Sequence, residues 1–154
     1  MSDQQLLAVT YARPGAEHPF QHVVRSRLAF EQTIEAVRGE LLGNDLWIIH
    51  EIDPQMLLKR GGYAIGRTRQ ILFFHPRYMV RLLGADPLAL LEAPLKAVVM
   101  EEGPDVTVRW FRPDVLFEKY RNDGLAELGR EFAALYEVIA RRLTQQSCPA
   151  PLEP

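Results

Sequence analysis

Four histidines and one cluster of arginines carry most of the chemistry this sequence could perform. A histidine can move a proton or ligate a metal near neutral pH, and the chain has His18, His22, His50 and His75. By two-residue alternation His50 shares a strand face with Leu46, Ile48 and Ile52, while His22 and His75 lie on or at the end of neighbouring predicted strands. His22, His50 and His75 are therefore the candidate metal ligands. No HExxH, HxH or His-plus-CxxC spacing is present, so a metal or haem site would have to be assembled wholly from tertiary contacts. That missing signature favours plainer roles: a partly buried, hydrogen-bonded sheet residue for His50 and a helix cap for His75.

The arginines form the second candidate. Between Pro54 and Ala85 there is no Asp or Glu, yet Lys59, Arg60, Arg67, Arg69, Arg77 and Arg81 are all present in a chain of net charge -2. Arg77 and Arg81 stand at i and i+4 on one helix face, where like charges repel unless an anion or an acidic group lies between them. Arg67, Arg69, His75, Arg77 and Arg81 are thus candidates for holding a phosphate or carboxylate ligand. The competing account is neutralisation by Glu101, Glu102, Asp105, Glu118, Glu127 and Glu131, within one chain or across a dimer. Within the same segment Gly61 to Thr68 nearly spells a phosphate-binding loop, with Arg67 where Lys belongs. Such a loop must follow a strand and open a helix, whereas this one follows a helix and runs into a strand, so it reads as a mobile connection.

Other chemistries find little footing. There is no Gly-x-Ser-x-Gly elbow, and Ser26, Thr33 and Thr107 have no paired base in a recognised motif. The carboxylate pairs Glu51/Asp53 and Glu101/Glu102 fall at strand ends, where solvation accounts for them. Trp47, Trp110, Phe73 and Phe111 are spaced like core residues of a sheet rather than base-stacking platforms. The single cysteine, Cys148, lies in a proline-bearing tail, so neither an internal disulfide nor a thiolate cluster can form within one chain. No cofactor is required by the sequence.

The elements that must position these residues follow from periodicity. A short strand over Leu6 to Tyr11 precedes a break at Arg13-Pro14-Gly15, and its pairing cannot be read. Gln21 to Arg25 reads as the first strand of the main sheet. Phe30, Ile34, Val37 and Leu41 trace one stripe of a helix that stops at Gly43-Asn44. Leu46 to Ile52 is a strand ended by Asp53-Pro54, a cap followed by proline, which opens a short helix. A third strand over Arg69 to Phe74 turns at His75-Pro76 into a helix, and Asp86-Pro87 begins a further helical turn. Leu95 to Glu101 and Val106 to Phe111 make a hairpin. Leu125, Leu128, Phe132, Leu135, Ile139 and Leu143 trace a long final helix from Asn122-Asp123 to Arg141-Arg142.

These parts suit an α+β fold: a curved antiparallel sheet of about four or five strands with helices on one face. Residues 1–19 form an N-terminal extension, 20–143 one domain, and 144–154 a flexible tail. Composition is ordinary for a globular chain. The N-terminus has no basic segment followed by an apolar one, and no stretch of about 20 apolar residues follows, so a cytoplasmic protein without membrane partners is expected.

The order β-α-β-β-α-β-β-α, with a proline-started helix straight after the third strand, resembles the prokaryotic family called domain of unknown function 302 over roughly residues 20–143. In that family the third strand usually ends in a Cys-Asn-Pro box and the fourth is preceded by Leu-Pro-Cys. Here the matching stretches read Phe74-His75-Pro76 and Ala93-Pro94-Leu95, so both cysteines are missing, while Leu82 to Pro87 follows the family pattern. The resemblance implies a TATA-box-binding-protein-like sheet and a homodimer, and it implies no activity. Thiol chemistry does not carry over to Phe74 and Leu95. The function expected is a non-catalytic small-ligand binding or accessory domain, for an anionic or apolar metabolite. A His-dependent metal or haem protein, with or without enzymatic activity, is the alternative; nucleic-acid binding through residues 59–81 ranks last, because the chain is acidic and lacks a groove-reading helix.

Overall fold

The computed structural model describes residues 5–146. Five antiparallel strands form the main sheet. In chain order the elements are β1 (Leu7–Ala8), β2 (Gln21–Ser26), α1 (Phe30–Gly43), β3 (Trp47–Ile52), α2 (Pro54–Arg60), β4 (Tyr63–Ala64), β5 (Thr68–Phe74), α3 (Pro76–Ala85), a 3-10 helix (Pro87–Glu92), β6 (Leu95–Glu102), β7 (Asp105–Phe111), α4 (Pro113–Glu118) and α5 (Asp123–Gln146). The sheet order is β2-β7-β6-β5-β3, so β2 and β3 are its edges. Strands β6 and β7 meet in a two-residue turn, Gly103-Pro104. There Gly103 adopts φ 60°, the sign a first turn position needs in the hairpins that match strand twist.

Alternation along these strands sends one set of residues toward the helices. Ile71, Phe73, Leu95, Ala97, Val99, Val108 and Trp110 are buried there against Phe30, Ile34, Val37 and Leu41 of α1 and the apolar stripe of α5. The predicted α1 stripe is wholly buried. On α5 the stripe shifts by one position: Leu135 is only half-buried, and Tyr136 takes the core place beside Phe73 and Trp110. Helix α5 reaches Gln146, so residues 144–146 of the expected tail are helical; the rest of it, with Cys148, lies outside the described residues.

The places expected for His50, Trp47 and Phe111 are corrected, and one helix is added. The register of β3 slips between Ile48 and His50, so His50 faces away from Ile48 and is exposed instead of sharing its face. A β-bulge of this kind inserts one residue and reverses the side on which all that follow point. Trp47 and Phe111 were expected in the core, but they are 54% and 48% exposed. Trp47 opens an edge strand and Phe111 closes β7 on the face without helices. Finally, α4 was not foreseen between β7 and α5.

Residues 9–20 carry β1 from its parallel pairing with β4 to the start of β2. This strap is tied down twice: the Tyr11 hydroxyl accepts from the Gly66 amide at 3.1 Å, and Glu17 accepts from Arg109 at 2.9 Å. Arg109 also donates to both carboxylate oxygens of Glu102. These charge-assisted bonds hold the carboxyls of Glu17 and Glu102 below their ordinary range. Among the described residues, no helix is long and apolar enough to cross a membrane.

Candidate functional site

The four candidate arginines, Arg67, Arg69, Arg77 and Arg81, all have acidic neighbours in the fold. Arg77 donates to Asp45 at 2.5 Å, and Arg81 makes a two-pronged contact with Glu131 at 2.5 and 2.9 Å. That contact draws the Glu131 carboxyl below its ordinary range. Arg67 lies 3.7 Å from Glu101, and Arg69 lies 3.9 Å from Asp53. The i, i+4 pair therefore splits, Arg77 toward the α1–β3 loop and Arg81 toward α5. Two of these acids, Asp45 and Asp53, lie N-terminal to the basic segment and outside the set of neutralising acids expected from sequence.

The three candidate histidines do not converge. His22 and His50 sit on opposite edge strands, four inter-strand spacings or roughly 19 Å apart, on opposite faces of the sheet. His75 ends β5 and caps α3, its Nδ1 accepting from the Arg77 amide at 3.0 Å, with its ring edge-on to Trp47. His50 pairs with Leu72, three residues before His75, which separates them by roughly 10 Å along the strand. Among the described residues no three His, Cys, Asp or Glu side chains form a group able to hold a metal ion. Phe74 and Leu95, where the resemblance would place cysteines, are both buried and apolar, and Phe74 stacks on Phe132.

His22 leads to a different site. It lies on the helix-facing side of edge strand β2, opposite Trp110 of β7. The two rings stack in parallel, with centroids 5.1 Å apart and planes within 1°. Around them α4 and α5 leave a cleft of about 440 Å³ lined by Gln21, His22, Trp110, Arg112, Pro113, Asp114, Ala133, Ala134, Tyr136 and Glu137. Its construction is local. Pro113 starts α4 immediately after β7, placing Asp114 in the first turn. Gly129 of α5 then lets the two helices meet closely, because a β-carbon there would come within 2.8 Å of the Pro113 carbonyl oxygen.

Two of the lining residues carry a polar atom that is out of solvent and has no hydrogen-bond partner among the described residues: Trp110 Nε1 and Asp114 Oδ1. Trp110 is 6% exposed. The Asp114 side chain is 34% exposed as a whole, but that exposure is not at Oδ1; its other oxygen accepts from Arg112 at 2.9 Å. Tyr136 stands edge-on to Trp110, and burial pushes its phenol well above the ordinary range. Glu137 approaches His22 Nδ1 at 3.8 Å, too far for a hydrogen bond. A buried donor or acceptor left unmade costs about 1–3 kcal/mol, so one of each in a single cleft is the pattern a ligand would relieve. Of these residues, sequence reasoning had singled out only His22 for chemistry; it took Trp110 as core and passed over Asp114, Tyr136 and Glu137. The readable signal was Pro113, a proline opening a helix as Pro54 does, although here no side chain caps it and Asp114 follows the proline instead of preceding it.

Comparison with known proteins places the fold. The family model described as "Domain of unknown function DUF302" matches residues 22–143. The crystal structure of an uncharacterized conserved protein DUF302 from Bacillus stearothermophilus superposes with a TM-score of 0.77 at 17% identity, covering 82% of this chain and 99% of that one. At that identity the likeness speaks for the fold alone. No curated protein matches the chain.

Proposed function

Because this chain belongs to the DUF302 family, whose name assigns no activity, we propose a function from its own geometry: a non-catalytic domain that binds a small polar molecule in the cleft between α4, α5 and the β2–β7 edge. The observation that carries this is that two residues lining one cavity, Trp110 and Asp114, each hold a buried polar atom, Nε1 and Oδ1, without a hydrogen-bond partner among the described residues. Its volume lies within the range of small-molecule sites, where a few polar groups orient a ligand against aromatic walls.

Thermal-shift screening against small polar metabolites, followed by titration of the hits, tests it. Trp110→Phe keeps the stacked ring and removes the N–H, and is expected to weaken binding about two- to tenfold; Asp114→Ala removes a charged acceptor, and is expected to weaken it about tenfold or more. Replacing Arg77 and Arg81, which already have carboxylate partners, leaves affinity unchanged. A screen without hits, or hits indifferent to both cleft substitutions, overturns the proposal.

The same reading takes the protein to work in the cytoplasm, which its single cysteine supports, and as a homodimer. Support for the dimer is the edge strand β3, which exposes Trp47 and Ile49, since an unpaired edge bearing large apolar groups invites pairing with a second copy. Sedimentation should show a dimer that Trp47→Glu converts to monomer; a monomeric parent chain refutes it.

A further inference from the structure

We infer that the molecule bound in this cleft is a small amine, carrying an ammonium group and a nearby hydrogen-bond acceptor such as a carbonyl, and is not an anion. The inference rests on the cleft being a binding site and goes further by naming what it selects. Four side chains there bear or can bear charge: Asp114, Glu137, Arg112 and His22. Arg112 is already committed, with Nη2 donating to Asp114 Oδ2 at 2.9 Å and Nη1 to the Pro19 carbonyl at 3.5 Å.

What remains unmet is mostly acceptor. Among the described residues Asp114 Oδ1 has no donor, and the Glu137 carboxylate, 62% exposed, comes within 3.8 Å of His22 Nδ1. An ammonium group carries three donors and could serve both carboxylates. Trp110 Nε1 is a donor without an acceptor, which a carbonyl on the same molecule would satisfy. The stacked His22 and Trp110 rings and the edge-on Tyr136 form aromatic walls, and an aromatic face attracts a cation. A carboxylate or phosphate ligand would instead face two carboxylates, with the one strong cation, Arg112, already engaged. The arginine segment had pointed to an anion; the cleft points to the opposite charge.

The full chain would be titrated with four probes matched in size: glycinamide, putrescine, propionamide and propionate. The Trp110 indole N–H resonance, assigned by its loss in Trp110→Phe, serves as local reporter. Glycinamide is expected to move that resonance saturably, with an affinity at least about tenfold above that of propionate. Asp114→Asn, which keeps shape and removes charge, is expected to weaken glycinamide binding about tenfold. Glu137→Gln, on an exposed side chain, provides a second reading should Asp114→Asn fail to fold. If propionate binds as well as glycinamide while moving the Trp110 resonance, the amine assignment falls and the cleft stands as a site. If no probe moves that resonance, both fall.

Discussion

Phe132→Ala is expected to lower the stability of the domain by about 3–5 kcal/mol, the usual cost of emptying a buried aromatic position. Phe132 is fully buried on α5 and touches three rings: Phe74 in a stack at 5.6 Å, Tyr78 at 4.5 Å and Tyr136 at 6.3 Å. Those rings belong to β5, α3 and α5, so one side chain holds the end of a central strand, a helix and the wall of the cleft in a single packing unit. Aromatic pairs contribute about 0.5–1.5 kcal/mol beyond the area they bury. A domain of this size is stable by only about 5–15 kcal/mol in total, so the variant should show a clearly lowered urea midpoint with the slope retained. A loss below about 1 kcal/mol would mean that the ring cluster does not hold the layers together. The cluster also explains why Phe can stand at position 74: with Phe132 stacked upon it, that place is part of the core.

Gly129→Ala is expected to destabilise by about 1–3 kcal/mol, even though alanine is worth roughly 1 kcal/mol more than glycine inside a helix. The added β-carbon would lie 2.8 Å from the Pro113 carbonyl oxygen and 3.3 Å from both Asp114 Cα and Phe117 Cβ. Two of those three neighbours are backbone atoms of α4, which cannot step aside as a flexible side-chain end would. Relief requires α4 to move away from α5, carrying Asp114 with it. Gly129→Ala should therefore weaken ligand binding in the cleft as well as lower the denaturation midpoint, and Gly129→Val should do both more strongly. A variant more stable than the parent would show that the two helices are not in close contact.

Much of the fold was legible because its signals are local. Phe30, Ile34, Val37 and Leu41 repeat at the helical period and are all buried; Asp53-Pro54 and His75-Pro76 open helices where a cap and a pre-set φ predict them. The hairpin turn at Gly103-Pro104 follows from glycine's access to positive φ. Two failures have equally local causes. A bulge in β3 carries no reliable sequence mark, and it turned His50 to the other face. Helix α4 is only six residues long, too short for a periodic stripe, so only its opening Pro113 announced it.

The candidate site is a different kind of quantity. Composition and spacing could say that this chain has histidines, arginines and no thiols within its domain, and that it builds an antiparallel sheet under helices. Which arginines would be neutralised depended on Asp45, Glu101 and Glu131, residues up to 50 positions away in the chain from their partners. Whether His22 and His50 could meet depended on strand order, which placed them at opposite edges. Trp110 and Asp114 look like an ordinary core residue and an ordinary helix-opening acid until β7, α4 and α5 come together. Periodicity along the chain therefore determined the elements, whereas hydrogen-bond satisfaction, a property of the neighbours each atom finds after packing, was decided by the tertiary structure alone.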